Sequence, residues 1–168
     1  MLDDLAGIGA EAGFLLKKHG QSIAVADGAT GGLISASLLA MPGASAFYLG
    51  GGVIYTLKGR RITLGHAPGS LRGHTSATES YAIAQAQLIR QRYGADWGIA
   101  ETGAAGGGSA HPLGVASGTS AVAVAGPDGM TASRLVQTGG NDRLANMQAF
   151  TAAALCLLRD TLAAVATR

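Results

Sequence analysis

The sequence predicts an α/β fold, namely a three-layer α/β/α sandwich on a mixed, mostly parallel sheet of about five strands with one antiparallel hairpin. Three observations support this prediction. Short apolar runs alternate with amphipathic helical stretches along the 168 residues. Two glycine-rich loops, at 27–32 and 102–109, each follow an apolar run. A Gly-Pro-Asp-Gly turn at 126–129 separates two further apolar segments, which is typical of a hairpin.

The first quarter of the chain predicts a helix, a strand and a second helix. Apolar residues recur on one helical face over 2–16, and Gly20 ends that helix as a C-terminal cap. The apolar run at 22–26 predicts the first strand. A second helix is expected over 30–40, where the Met-Pro-Gly sequence at 41–43 stops it.

The middle of the chain predicts a strand and two helices. Three successive glycines interrupt the apolar run at 47–55, which indicates a strand with a bulge or a close backbone approach. A short helix is expected at 57–64. Ser76 and Glu79 have the spacing of a capping box, which would open a helix that runs to Tyr93.

The last part of the chain predicts three strands and a long helix. A strand at 96–101 leads into a loop at 102–114. The alternating pattern at 116–125 and the segment at 130–137 form the expected hairpin. A long apolar helix begins near Asn141.

Composition and charge argue against several classes of function. A content of 48% hydrophobic and 13% charged residues permits a substantial core. The net charge of +2, without a Lys/Arg run, argues against a nucleic-acid partner. The four histidines lack the spacing of a metal site, so neither a metal nor a cofactor is expected. The single Cys156 lies among leucines and is expected to be a packed core thiol.

The termini and the length predict a soluble cytoplasmic protein with one domain over 1–168. The N-terminus carries Asp3 and Asp4 rather than a basic segment, which argues against a signal peptide. No run of about 18 apolar residues occurs, so no membrane span is expected. An apolar surface of low charge on a small α/β domain favours a homo-oligomer, which sedimentation would test.

The first glycine-rich loop predicts a site for an anion. Its sequence places Asp27 at a strand end and Thr30 at a helix start. Such a junction directs free N–H groups and the positive end of the helix dipole to one point, which suits a phosphate or a carboxylate. Gly28, Gly31 and Gly32 would let a ligand approach the backbone closely. The loop matches neither a Walker A loop nor a dinucleotide fingerprint, and a purely structural turn is the alternative.

Charged residues near the other strand ends supply further candidates. Glu101 ends a strand before the second glycine-rich loop, where a carboxylate would bind a ribose hydroxyl, order the loop or act as a base. Lys58, Arg60 and Arg61 follow the second strand. They form either the solvated start of a helix or a cationic wall of the cleft, where arginine suits contact with phosphate or carboxylate.

Four short segments follow one another in a specific order: Ala26-Asp27-Gly28-Ala29-Thr30-Gly31-Gly32-Leu33-Ile34, Pro42-Gly43-Ala44-Ser45, Gly51-Gly52-Val53-Ile54-Tyr55 and Thr102-Gly103-Ala104-Ala105-Gly106. In order and spacing they resemble the C-terminal domain of the competence/damage-inducible protein CinA, over nearly the whole chain. Stand-alone versions of that domain are nicotinamide-nucleotide amidases. The resemblance implies a three-layer α/β/α sandwich, a nucleotide partner such as nicotinamide mononucleotide, and hydrolysis of its carboxamide with release of ammonia.

The chain departs from the family at both catalytic positions. The family's first motif usually reads Ala-Glu-Ser-Cys-Thr-Gly-Gly, with serine as nucleophile, and an activating lysine follows the motif tyrosine by five positions. Here the serine position is Gly28 and the lysine position is Arg60, while Gly107 stands where the family usually has proline. A hydroxyl nucleophile needs an oxygen and a base, and an arginine side chain stays charged and cannot take the proton.

Two groups of residues are therefore the candidates for function. The catalytic candidates are Asp27, Thr30, Tyr55, Arg60, Glu101 and Thr102. The candidates for binding substrate or phosphate are Gly28, Ala29, Gly31, Gly32, Gly103, Ala105, Gly106 and Gly107. Three hypotheses remain open: an amidohydrolase that uses other groups in place of the missing pair, a homologue that binds a nucleotide without turnover, and an oligomeric interaction module.

Overall fold

The computed structural model describes residues 2–108 and 111–166. Five helices and five strands alternate along these residues, with two short 3-10 helices at Ala44–Ala46 and Pro127–Gly129. In chain order the elements are α1 (Leu2–Lys18), β1 (Ile23–Asp27), α2 (Leu33–Leu39), β2 (Tyr48–Val53), α3 (Leu57–Leu64), α4 (Glu79–Tyr93), β3 (Trp97–Ala104), β4 (Thr119–Ala125), β5 (Thr131–Gln137) and α5 (Arg143–Ala166).

The five strands form one mixed sheet in the order β2-β1-β3-β4-β5, which confirms the predicted fold class. β1 pairs in parallel with β2 and β3, whereas β4 pairs antiparallel with β3 and with β5. Four of the strands therefore point in one direction and only β4 runs against them. The β4–β5 pair is the hairpin that the turn at 126–129 predicts.

Helices cover both faces of the sheet and give the three layers. On one face, α1, α2 and α5 pack against alternate residues of β1, β3 and β4, including Val25, Ile99 and Val122. On the other face, α3 and α4 pack against small residues such as Ala24 and Ala100. Burial of apolar surface on both faces is the main stabilising contribution of such a sheet.

The triple glycine of β2 has the packing role that the sequence indicates. The register between β1 and β2 shifts once, because Ile23 pairs with Tyr48 and Ala24 pairs with Gly50. A Cβ on Gly51 would overlap the carbonyl oxygen of Val25. The bulge and the close backbone approach at these glycines are therefore both present.

Several local predictions are wrong. The helix predicted at 30–40 spans only Leu33–Leu39, because a turn with left-handed Gly31 and Gly32 precedes it, and the strand predicted at 116–125 begins at Thr119. The strand predicted at 96–101 continues to Ala104, so the first residues of the expected loop at 102–114 belong to β3. The capping box does not form, because Ala77 adopts a left-handed φ of 57° between Ser76 and the helix. Helix α4 begins at Glu79 with Thr78 before it, and the Thr78 hydroxyl donates instead to the carbonyl of Thr75.

Helix α5 is a core helix. By length and composition it is the one helix among the described residues that is long and apolar enough to cross a bilayer. Its Leu155, Leu158 and Leu162 are buried against the sheet and the neighbouring helices. Cys156 is only half-buried, because it lies on the flank of α5 rather than on the face occupied by these leucines.

Candidate functional site

A cleft of about 760 Å³ opens at the edge of the sheet where β1, β2, β3 and β5 end. These ends coincide because the four strands run in one direction. β2 and β3 lie on opposite sides of β1, so the order of the strands changes direction at β1. Open α/β sheets bind ligands in such crevices at the carboxyl ends of their strands.

The cleft brings together part of the predicted site. Its lining includes Gly28, Ala29, Tyr55, Arg60, Gly103, Ala105 and Gly106. The described lining does not include Asp27, Thr30, Gly31, Gly32, Glu101, Thr102 and Gly107. The residues outside the lining include the carboxylates and hydroxyls that the sequence predicts as catalytic. Their hydrogen-bond partners therefore decide whether they are free to act on a ligand.

Asp27 is fully buried and its carboxylate holds the start of α2. Its Oδ1 accepts from the Thr30 hydroxyl at 2.8 Å and from the Ile34 N–H at 3.1 Å. Its Oδ2 accepts from the Ser35 hydroxyl at 2.7 Å and from the Ser35 N–H at 3.3 Å. A carboxylate at a helix N-terminus satisfies free N–H groups and complements the helix dipole.

Glu101 is also fully buried, on the other side of Thr30. Its Oε2 accepts from the Thr30 N–H at 2.9 Å and lies 3.3 Å from the Thr30 hydroxyl. Its Oε1 accepts a short hydrogen bond from the Ser120 hydroxyl. Burial raises the pKa of Glu101, and the hydrogen bonds from Ser120 and Thr30 oppose that rise.

The N–H groups of the first glycine-rich loop are therefore largely occupied inside the protein. The two carboxylates accept from Thr30, Ile34 and Ser35, and backbone carbonyls accept from Gly31 and Leu33. The start of α2 points to Asp27, whose negative charge occupies the place expected for a bound anion. Only Gly28 and Ala29 of this loop reach the cleft.

The position of the family's serine is closed to a side chain. A Cβ on Gly28 would overlap the backbone carbonyl oxygen of Glu101 and lie 3.1 Å from its Oε2. β1 and β3 are neighbouring parallel strands, so this contact is set by their pairing. Glycine at 28 is thus required by the packing of this chain as it stands, in addition to lacking a nucleophilic oxygen.

Arg60, at the position of the family's lysine, is fixed by three acceptors and one aromatic ring. Its Nε donates to the Ile54 carbonyl at 3.1 Å. Its Nη1 donates to the Ser76 hydroxyl at 3.2 Å and to the Tyr81 hydroxyl at 3.0 Å. The guanidinium carbon lies 5.3 Å from the centre of the Tyr81 ring, in cation–π contact.

The second glycine-rich loop is held by the start of α5. The Asn141 side chain accepts from the Gly107 N–H at 3.0 Å, and the Asn146 side chain donates to the Ala105 carbonyl at 2.8 Å. Gly106 and Gly107 have φ values of +81° and +77°. A proline at 107 requires a negative φ, so this loop has a backbone that the family's usual residue cannot adopt.

Arg143 is a site residue that the sequence reasoning missed. Its Nη1 donates to the Gly106 carbonyl at 2.7 Å and its Nη2 to the Tyr55 hydroxyl at 2.8 Å, so it joins two walls of the cleft. One signal was available, because Arg143 is the first residue of α5, where the helix dipole disfavours a cation. A residue that breaks a local rule is a candidate for function.

The remaining polar groups of the cleft are neutral or cationic. Thr56, Ser76, His111, Ser117 and Asn141 line it together with the two arginines. No aspartate or glutamate occurs in the lining formed by residues 28–108 and 111–143. The sequence does not predict these five residues as site residues, because the spacing of Ser76 indicates a helix cap and that of His111 indicates no metal site.

Solved structures of similar fold are CinA superfamily proteins. A superfamily protein from Klebsiella pneumoniae has a TM-score of 0.84 at 25% identity, covering 95% of this chain and 98% of that chain. The competence/damage-inducible protein CihA from Agrobacterium tumefaciens also has a TM-score of 0.84 at 25% identity, with 95% of each chain covered.

Curated relatives are longer proteins that share this region. A CinA-like protein from Prochlorococcus marinus is 40% identical over 122 residues, which are 71% of this chain and 28% of that protein. A CinA-like protein from Desulfosudis oleivorans is 35% identical over 156 residues, which are 91% of this chain and 37% of that protein. This chain thus spans roughly a third of their length. The family model of the CinA C-terminal domain matches residues 6–162, and the chain belongs to that family.

Proposed function

We propose that this chain binds an anionic mononucleotide, such as nicotinamide mononucleotide, without the serine–lysine chemistry of nicotinamide-nucleotide amidases. The observation that carries the proposal is the charge of the cleft. Arg60 and Arg143 both line it, and neither has a carboxylate partner among the described residues. Arginine without a protein counter-ion in a concave site suits a phosphate or carboxylate of a ligand.

The size of the cleft agrees with a mononucleotide. Small-molecule sites commonly have volumes of about 300–1,000 Å³, with a few polar groups that fix orientation. The cleft of about 760 Å³ falls within that range. Apolar residues such as Leu57, Pro112 and Leu113 line it as well and would contact a base.

The same geometry argues against the family's hydrolysis. Gly28 has neither a side-chain hydroxyl nor space for a side chain, and Arg60 cannot act as the base. Asp27 and Glu101 would be the alternative bases for a water molecule. Both are fully buried, and their oxygens accept from Thr30, Ser35 and Ser120 rather than facing the cleft.

Thermal unfolding with nicotinamide mononucleotide, combined with an ammonia assay, tests this proposal. A ligand at 100 times its dissociation constant adds about 2.7 kcal/mol to the free energy of unfolding. We expect such a stabilisation together with no release of ammonia above the uncatalysed rate. The absence of any shift at millimolar nucleotide would reject nucleotide binding.

Amidase activity through Ser76 is a second candidate. Ser76 lines the cleft, and its hydroxyl oxygen accepts from Arg60, an arrangement that would stabilise a serine alkoxide. Release of ammonia by the native chain that Ser76→Ala abolishes would favour this alternative. Thr102→Val is the matched control, because Thr102 is buried outside the cleft and its hydroxyl accepts from the Ala77 N–H.

A further inference from the structure

The cleft holds two guanidinium groups at two separate positions. Arg60 is anchored to Ile54, Ser76 and Tyr81, on the side of the cleft formed by α3 and α4. Arg143 is anchored to Gly106 and Tyr55, on the side formed by the second glycine-rich loop. The two anchors share no residue, so each guanidinium is held independently of the other.

The hydrogen-bond donors near Arg60 that remain free favour one kind of ligand group. The protein acceptors use Nε and Nη1, which leaves both N–H groups of Nη2 without an acceptor among the described residues. Ser76 accepts from Arg60, so its own hydroxyl hydrogen is available to the cleft that it lines. This corner of the cleft therefore offers donors and a positive charge but no carboxylate acceptor.

A surface made of donors distinguishes a carboxylate from a carboxamide. A carboxylate accepts on both oxygens and gains charge-assisted hydrogen bonds from arginine. A carboxamide accepts on one oxygen only, and its NH₂ group would face further donors and remain unpaired. A polar group of the ligand that loses water on binding and finds no partner reduces affinity.

We propose that the cleft selects a mononucleotide whose base carries a carboxylate, with Arg60 and Ser76 binding that carboxylate and Arg143 binding the second anionic group. This inference rests on the proposed nucleotide binding and makes it more specific. The ligand is the acid that hydrolysis of the carboxamide would produce. The chain would thus recognise the product of the family's reaction rather than its substrate.

Calorimetric titration with nicotinate mononucleotide and nicotinamide mononucleotide tests the inference, because the two ligands differ only in the carboxylate and the carboxamide. At one pH and one ionic strength, we expect the native chain to bind the acid at least about tenfold more tightly, the effect of one charge-assisted hydrogen bond. Equal binding of the two, or tighter binding of the amide, would overturn the inference and leave the proposed nucleotide binding intact. Absence of binding by both would overturn the two together.

Two variants of α3 test whether Arg60 causes the preference for the acid. Arg60→Gln removes one of the two cations of the cleft and is expected to abolish the preference for the acid. Arg61→Gln removes the same charge from the next, exposed residue, which does not line the cleft, and is expected to retain the preference. An unchanged preference in Arg60→Gln would refute the role of Arg60.

Two further variants keep the assignment testable if Arg60→Gln does not fold. Arg60→Lys retains a point charge but loses the planar guanidinium, and it is expected to reduce the preference without abolishing it. Arg143→Gln is expected to weaken both ligands by the same factor, so that their ratio stays constant. A full preference in Arg60→Lys, or a changed ratio in Arg143→Gln, would contradict the assignment.

Discussion

The two glycine-rich loops meet at the same edge of the sheet but hold their charges in opposite ways. Beneath the first loop, Asp27 and Glu101 are fully buried and accept hydrogen bonds from Thr30, Ser35 and Ser120. We call this group of five residues the carboxylate cluster. Arg60, on α3 beside α4, and Arg143, beside the second loop, face the open cleft, and we call these two residues the arginine pair.

The difference separates charged groups whose partners lie inside the protein from charged groups that remain available to a ligand. Each oxygen of the carboxylate cluster has a partner, so the cluster fixes the junction of β1, α2 and β3 and has no free capacity for a ligand. The hydrogen-bond partners of the arginine pair are uncharged, so the two positive charges are uncompensated and remain available to a ligand in the cleft. Changes in the cluster are expected to alter stability, and changes in the pair are expected to alter binding.

Removal of Glu101 should have the largest effect on stability. Glu101→Ala leaves the Thr30 N–H without its acceptor inside the protein and removes one of the two acceptors of the Ser120 hydroxyl, the Thr102 carbonyl being the other. We expect a loss of about 3 kcal/mol or more in the free energy of unfolding, measured by urea denaturation. Glu101→Gln is the control, since an amide can accept from Thr30 and donate to Ser120, and it should cost about 1 kcal/mol or less. Equal losses in both variants would show that the cluster requires a charged group.

Introduction of the family's serine should have the next largest effect. In Gly28→Ser the new Cβ meets the carbonyl oxygen of Glu101, a backbone atom that cannot turn away. We expect a loss of about 1–3 kcal/mol, and no amidase activity in Gly28→Ser combined with Arg60→Lys. Ala29→Ser changes the neighbouring residue, which already carries a Cβ and lines the cleft, and it should cost less. A stable, active double variant would contradict this account of position 28.

The pH dependence of stability should reveal the buried acid. Burial raises the pKa of Glu101 in the folded chain, so the folded state holds this proton to a higher pH than the unfolded chain does. The stabilisation is therefore complete below the unfolded pKa and is lost as the pH rises through the folded pKa. In urea denaturation at a series of pH values, Glu101→Gln should lack this decline, and parallel curves for the two proteins would contradict it.

The smallest effect on stability should come from Arg143 of the arginine pair. Arg143 is exposed, and its two hydrogen bonds lie at the mouth of the cleft. We expect Arg143→Gln to change the free energy of unfolding by no more than about 0.5 kcal/mol, as for most surface substitutions. A loss comparable to that of Glu101→Ala would show that Arg143 belongs to the structural part of the site.

Much of the fold follows from patterns that are local in sequence. Apolar periodicity and the Gly-Pro-Asp-Gly turn predict the sheet and its hairpin. The helix predicted at 57–64 has the same first and last residues in the structure. The capping box failed because one left-handed residue, Ala77, turned the chain away from the expected helix start. Local spacing cannot reveal such a backbone conformation in an alanine.

The site was predictable in its location but less so in its chemistry. Strand ends and glycines place it at the carboxyl edge of the sheet, where the cleft lies. Which way Asp27 and Glu101 point depends on the pairing of β1 with β3 and on the packing of α2, and both are properties of the folded chain. Arg143 reaches Tyr55 across a separation of 88 residues, which no spacing rule covers.

Calorimetric titration of the native chain with nicotinamide mononucleotide tests the central claim most directly, because one experiment reports both binding and turnover. Binding without chemistry gives heat pulses that return to the baseline and decrease towards saturation. Hydrolysis gives a sustained thermal power after each injection. We predict saturating pulses with no sustained power. Heats no larger than those of dilution, or a sustained power that scales with protein concentration, would contradict it.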